Sequence, residues 1–294
     1  VAYYISLTDN YGFESGINPQ EANVMPIKDA NLPYFILVGY ELFDEEDFDF
    51  SIGFWQTSDP SDNATTGMWD IGAPLGSYDN PSNLSGIVQT ATQHTPNGYA
   101  CAFTENASSI NDGIGANDVD DGHTTLFSPT YNLSSYTNPA FSYWRWYTNN
   151  PSSGANPGAD WWQVLITDDG VNWHYVENTK SSDLSWRKCV FRIKDYVNLT
   201  SSVQLKFIAP DSIRSGQYLD GGSLIEAAVD DLYLYESIDN GTGLNPLDDS
   251  FVKPKLIRVT DYLGRTINPN NISGVKNLIY YFDNGTVKKR LIYY

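Results

Sequence analysis

Residues 140–150 read AFSYWRWYTNN, and Tyr143–Tyr147 within them are four aromatic residues around one arginine. Such a run is either a platform on which a ligand stacks or the spine of a core. Alternation along a strand puts Trp144 and Trp146 on one face and Tyr143, Arg145 and Tyr147 on the other. A buried guanidinium without a partner is costly, so Arg145 is expected to face solvent or a carboxylate. That turns both tryptophans inward, although Phe141 lies on the arginine face and pulls the other way. The stretch is expected to be a central strand packed through Trp144 and Trp146, with ligand contact left to Tyr143, Arg145 and Tyr147.

Outward from this strand the pattern repeats. Short apolar runs such as ACAFTE, TTLFSPTYNL, DWWQVLITDD, NWHYVENT, SWRKCVFRI, VQLKFIAP and AAVDDLYLYES are separated by turn clusters such as SDPSDNATTG and NNPSSGANPGAD. Regular short strands with this punctuation predict an all-β fold, an antiparallel β-sandwich of the jelly-roll kind. FDFSIGFWQ, at 48–56, is also expected to be a strand. No long stretch has the 3.6-residue period of a helix.

Four segments are expected. Residues 1–40 are the end of a preceding domain and a connector, and 41–237 are the sandwich. Residues 238–250 are a polar linker, and 251–294 are a small C-terminal β module. The chain begins with Val1 rather than Met, and is read as cut from a longer protein.

Charge divides along the same lines. The net charge is −19, yet 251–294 carries eight Lys/Arg against two Asp/Glu, a balance of +6 that leaves −25 on the rest. An acidic body with a basic tail suggests two modules of different origin. The acidic body excludes nucleic acid as a partner, because phosphates repel it. No stretch approaches the run of ~20 apolar residues that a transmembrane helix needs. The two cysteines, Cys101 and Cys189, sit in strand-like runs and suit either a disulfide or two buried thiols.

The C-terminal residues KLIRVTDYLGRTI (255–267) and NLIYYFDNGTVKKRLIYY (277–294) resemble the C-terminal sorting domain of proteins exported by the type IX secretion system of Bacteroidetes. The resemblance rests on Leu263-Gly264-Arg265, on Asp283-Asn284-Gly285 and on Lys288-Lys289, in that order at the chain end. It implies export across the outer membrane to the cell surface or medium. The partners it implies are the type IX translocon, its outer-membrane shuttle protein and a sortase-like peptidase. The stretches EEDFD (45–49), DNATTGMWDIGAP (62–74), HTPNGYACAFTENA (94–107), NDVDDGHTTLFSPTYNLS (117–134) and SLIEAAVDDLYLYE (223–236) resemble the jelly-roll module that follows the catalytic domain of secreted Bacteroidetes peptidases. That module is distantly similar to MAM domains, and the likeness implies an extracellular accessory role.

Two ligand chemistries suit the residues. Calcium takes six to eight oxygens. Glu46, Asp47 and Asp49 lie on the expected first strand, Asn117, Asp118, Asp120 and Asp121 in a glycine-bounded loop, and Asp230 and Asp231 on the last strand. First and last strands of a jelly roll are commonly neighbours, so the three groups are expected to converge on one cation. The same acids also suit solvated turns that cap backbone N–H groups. Polysaccharide is the second ligand, with Trp161 and Trp173 beside Tyr143, Arg145 and Tyr147 as stacking surfaces. Aromatic residues of a sandwich serve equally as core. Catalysis finds no marker. The three histidines form no His-Glu-x-x-His motif, and no Gly-x-Ser-x-Gly elbow or Gly-rich phosphate loop is present.

Overall fold

The structure is a computed structural model that describes residues 2–3, 6–8, 14–16, 34–35, 37, 39–49, 53–149, 157–211, 223–238, 256–267, 276–282 and 287–292. The chain forms two compact units, Val1–Phe48 with Gly53–Ile238, and Asp49–Ile52 with Asp239–Tyr294.

In the first unit ten strands make the sandwich: β1 (Tyr40–Glu46), β2 (Trp69–Gly72), β3 (Cys101–Thr104), β4 (His123–Phe127), β5 (Ala140–Thr148), β6 (Trp162–Thr167), β7 (His174–Thr179), β8 (Asp183–Arg192), β9 (Gln204–Pro210) and β10 (Glu226–Ser237). One sheet runs β8-β5-β10-β3-β2, and β1 pairs with the second half of β10 beyond β3. The other runs β4-β9-β6-β7. Every pairing is antiparallel. FDFSIGFWQ forms no strand over its described part. Phe48 has φ +58°, and Gln56 makes only an isolated bridge to Phe127.

The core lies between the sheets and is built by alternation. Phe141, Tyr143 and Tyr147 of β5 face Trp162, Val164 and Ile166 of β6 and Leu205, Phe207 and Ala209 of β9. The orientation expected for the opening stretch is therefore inverted. Tyr143, Arg145 and Tyr147 point between the sheets, and each is at most 2 % exposed, so none of the three reaches a ligand at the surface. The reason is a carboxylate on the opposite sheet. Glu177 of β7 reaches inward, and its Oε2 accepts from Arg145 Nε at 3.1 Å. Its Oε1 accepts from the Tyr143 hydroxyl and from Trp162 Nε1. Charge pairing inside the sandwich, rather than solvent, is what Arg145 found.

Trp144 and Trp146 lie on the outer face of the six-stranded sheet, packed with Cys101, Phe103 and Trp186. They hold down the segment before β3. Trp146 Nε1 donates to the Val88 carbonyl at 2.9 Å, and Trp186 Nε1 to that of Thr92 at 3.1 Å. The His94 ring stacks on Trp144 with centroids 3.8 Å apart. Indole satisfies both requirements at once, burying a large ring while its N–H finds an acceptor. Both cysteines are free thiols. Cys101 packs on this outer face and Cys189 against the inter-sheet core, so the sheet itself separates them.

In the second unit the described strands are β11 (Leu256–Asp261), β12 (Lys276–Phe282) and β13 (Val287–Ile292), an antiparallel meander in chain order. β12 and β13 pair in register, and Asp283 and Gly285, which lie between them in sequence, fall outside the described residues. So does nearly all of the expected linker 238–250.

Candidate functional site: the outer face of the four-stranded sheet

The same alternation that sends Trp162, Val164 and Ile166 inward sends Trp161, Gln163 and Leu165 to the outer face of β6. Register then builds rows across the sheet. Asn178, Gln163, Ile208 and Thr125 form one, and Tyr175, Leu165, Lys206 and Phe127 the next. Trp173, just before β7, lies on this face too. The Lys206 ammonium sits 4.4 Å from its ring centroid, and Phe127 meets it edge-on. At the other end Lys180 sits 5.0 Å from the Trp161 ring centroid, and Trp161 is 37 % exposed.

Continuing the β6–β7 register places Trp173 opposite Thr167, six residues along β6 from Trp161. At ~3.3 Å per residue the two indoles bracket the face at a separation of about 20 Å. Tyr175 is half exposed between them. Gln163 Nε2 donates to Asn178 Oδ1 at 3.2 Å and lies 3.4 Å from the Tyr175 hydroxyl. The face thus offers two stacking rings, a phenol, two amides and two ammonium groups. On the β4 side it is closed by the 56–62 segment, where Asp62 accepts from the backbone and hydroxyl of Thr125. Trp161 and Trp173 were legible in the sequence. Gln163, Tyr175, Asn178, Lys180 and Lys206 were not, because only cross-strand register shows that they share a surface.

The acidic groups do not assemble as expected. β1 and β10 are neighbours, with Glu46 opposite Leu232. The 117–121 loop, however, meets β10 at its other end, where the Val119 N–H donates to the Ile225 carbonyl. Asp230 and Asp231 are already engaged. Asp230 Oδ2 accepts from the backbone of His94 at 2.7 Å, and Asp231 pairs with the His94 ring at 2.6 Å and the Thr95 hydroxyl at 2.7 Å. Both aspartates turn outward because β10 carries a bulge there. Ala227 and Val229 face the core, then Leu232 and Leu234, with Asp231 at φ +49°. Glu46 is held locally by the Phe48 N–H at 3.1 Å, and Asn117 donates to Glu105 at 2.6 Å. The Thr66 hydroxyl lies 3.3 Å from Asp120 Oδ2, and the Asp121 N–H reaches Asp211 Oδ2. Asp47 follows the last residue of β1, and Asp49 belongs to the other compact unit. Among the described residues no three His, Cys, Asp or Glu side chains are grouped to hold a metal. The nine residues expected to share one calcium ion are thus not brought to a common point among the described residues.

Burial without a cationic partner leaves its mark on two of them. Desolvation, with Asp120 nearby, pushes Asp118 up to about 8, and desolvation with Asp231 alongside does the same to Asp230. An acid whose pKa is raised by folding binds its proton more tightly in the native state. Between the unfolded value near 4 and about 8 the native chain therefore holds more protons, and stability falls as pH rises through that window. In chelator the sandwich is expected to melt several degrees higher at pH 5 than at pH 8, by calorimetry, and Asp118→Asn should flatten the slope. A midpoint that rises over this range would contradict the reading.

Fold and surface together define the class: an antiparallel β-sandwich with one open, aromatic-rimmed sheet face. Several solved structures are similar to part of the chain. The K1 cleaved adhesin domain of Lys-gingipain from Porphyromonas gingivalis W83 is 16 % identical over 65 % of this chain and 95 % of that one, with a TM-score of 0.36. The CBM22-1 xylan-binding domain of Xyn10C from Paenibacillus barcinonensis is 10 % identical over 69 % and 99 %, with a TM-score of 0.34. A CBM61 module crystallised with β-1,4-galactotriose is 12 % identical over 65 % and 94 %, with a TM-score of 0.33. No protein-family model and no curated protein matches the chain. No described helix is long and apolar enough to cross a membrane.

Proposed function

We propose that the sandwich is a non-catalytic, extracellular polysaccharide-binding module whose ligand lies along the outer face of the four-stranded sheet. One observation carries the reading: Trp161 and Trp173 stand on the same face at opposite ends of an open strand pair, with Gln163, Tyr175 and Asn178 between them. Pyranose rings stack on indole, and their hydroxyls pair with amides and phenols. The ammonium groups of Lys180 and Lys206 lie against the indoles and add donors. Affinity electrophoresis of the full chain through gels containing soluble polysaccharides tests this. Retardation by at least one polysaccharide is expected, with a loss of tenfold or more in affinity for Trp161→Ala and for Trp173→Ala. Unretarded migration through a broad set of gels, or equal retardation of both variants, would contradict it.

A second reading concerns the C-terminal unit, which we propose serves as the signal for type IX export. What supports it is a built turn at the Leu263-Gly264-Arg265 motif. The Asp261 carboxylate accepts from the backbone of Leu263 and Arg265 at 3.0 and 2.9 Å and from Arg265 Nε at 2.6 Å. Tyr262 and Leu263 are left exposed on it. Lys288 and Lys289 stand opposite Tyr280 and Ile279 on β13. The partners would be the translocon, its shuttle protein and a sortase-like peptidase. Deleting 251–294 is expected to leave the protein inside a type IX-competent cell, by fractionation, whereas undiminished export would refute the assignment.

A further inference from the structure

Charge is distributed unevenly over the two sheets. The four strands of the proposed polysaccharide face, β4, β6, β7 and β9, contain a single acid, Glu177, and that side chain points inward to Arg145. On the other sheet β1 and β10 carry four acids each. In a chain of net charge −19, a sheet face onto which no strand turns a carboxylate is set apart from the rest. The face does carry cations. Lys206 stands in the row with Tyr175, Leu165 and Phe127, and its ammonium lies 4.4 Å from the Trp173 ring centroid. Lys180 directly follows β7, and its ammonium lies 5.0 Å from the ring centroid of Trp161.

Neither lysine makes an ion pair among the described residues. The acids whose charges reach Lys206 are Asp59 and Asp62, and their oxygens are engaged elsewhere. Asp59 accepts from the Ser61 backbone and hydroxyl at 2.8 and 2.7 Å, and Asp62 accepts from the Asp59 N–H and from Thr125. Desolvation holds the Lys206 ammonium below the usual lysine value in spite of both. An anion brought by a ligand would offset that cost. An indole face attracts an ammonium but leaves its N–H groups open to an oxygen acceptor.

The two ammonium groups stand at opposite ends of β7, whose six residues separate Trp173 from Lys180. At ~3.3 Å per residue the span is on the order of 20 Å, several units of an extended sugar chain. Between the ends the face is neutral, with Gln163, Tyr175 and Asn178. The net charge of −19 repels a densely charged polymer. Salt screens charges beyond about 8 Å, so well-separated anions respond mainly to the lysine beside each of them.

We propose that the polysaccharide of this face is acidic and sparsely charged: a chain of mostly neutral sugars with carboxylate or sulfate groups at intervals, one anion meeting Lys206 and another Lys180. The inference rests on the polysaccharide-binding reading and adds the charge of the ligand to it. Gln163, Tyr175 and Asn178 pair with the hydroxyls of the neutral sugars between the anions. Lys180 and Lys206 set the specificity.

Calorimetric titration of the full chain with matched polysaccharides tests it. One pair is deacylated gellan, which carries a single glucuronate in each repeat, and its carboxyl-reduced form. The other is a lightly sulfated galactan and its desulfated form. In at least one pair the charged member is expected to bind at least tenfold more tightly at low salt, and the gap should close as salt is raised. The pair that shows the gap tells carboxylate from sulfate. Lys206→Gln and Lys180→Gln are expected to shrink the gap several-fold, and Lys206→Arg, which keeps the charge, to preserve it. Neutral members bound as tightly as charged ones, with that binding lost in Trp161→Ala, would overturn the charge inference and leave the polysaccharide reading standing. So would a gap untouched by both Lys→Gln variants, or binding confined to neutral polysaccharides outside the pairs. Binding to no polysaccharide at all would overturn the reading and the inference together.

Discussion

Glu177→Ala is expected to lower the stability of the sandwich by about 3–5 kcal/mol, the usual cost of stripping the partner from a buried charge. Arg145 is 2 % exposed, and its only ion pair among the described residues is the one to Glu177. Removing the carboxylate strands the guanidinium between two sheets and also deprives the Tyr143 hydroxyl and the Trp162 indole of their acceptor. For a unit of this size each kcal/mol moves the melting midpoint by roughly 2–4 °C, so a fall on the order of 10 °C should be seen by calorimetry. The double variant Arg145→Met with Glu177→Leu removes both charges and should recover the part of the loss that comes from the stranded guanidinium, leaving the cost of the two unpaired donors. A single variant within about 1 kcal/mol of the parent would mean that Arg145 is not held by this carboxylate.

Gly67→Ala carries the second large effect. Gly67 has φ +71°, a conformation that costs an L-residue roughly 1–2 kcal/mol. A Cβ there would also stand 2.4 Å from the Val119 nitrogen and 2.5 Å from its Cα. That neighbour is backbone, and it cannot swing aside as a side chain would. The 118–119 segment must move, and with it the Thr66 hydroxyl bond to the Asp118 carbonyl and the Val119 N–H bond to Ile225. Strain and overpacking together are expected to cost about 3–5 kcal/mol in urea unfolding. Gly170 separates the two causes. Its φ is +73°, but nothing lies within 4 Å of a Cβ built on it. Gly170→Ala should cost only the strain, about 1 kcal/mol, and equal losses for the two variants would show that the close approach at Gly67 is not real.

The fold was legible because alternation and turn punctuation are local. Nearly every apolar run became a strand close to its expected bounds, and the exception, FDFSIGFWQ, has Phe48 at a positive φ where no strand continues. Orientation was not legible, because it depends on what waits across the sandwich. Arg145 was read correctly as needing solvent or a carboxylate, and Glu177 supplies that carboxylate from 32 residues further along the chain, on the other sheet. Acid pairing failed for the same reason. Asp230 and Asp231 adjoin in sequence and look like a ligand pair, yet a bulge turns both toward the backbone and side chains of His94 and Thr95. For AFSYWRWYT the outcome is a strand with two buried faces, one clamping Glu177 and the other clamping the 88–94 segment.

The central claim is that polysaccharide lies along the outer face of the four-stranded sheet, and tryptophan footprinting tests it most directly. The full chain would be oxidised with N-bromosuccinimide in the presence and absence of a polysaccharide that retards it, and each tryptophan scored by mass spectrometry. Protection of Trp161 and Trp173 is predicted, with Trp144, Trp146 and Trp186 unchanged by ligand. Protection of Trp144 and Trp186 with Trp161 and Trp173 fully reactive would place the ligand on the other sheet and contradict the claim.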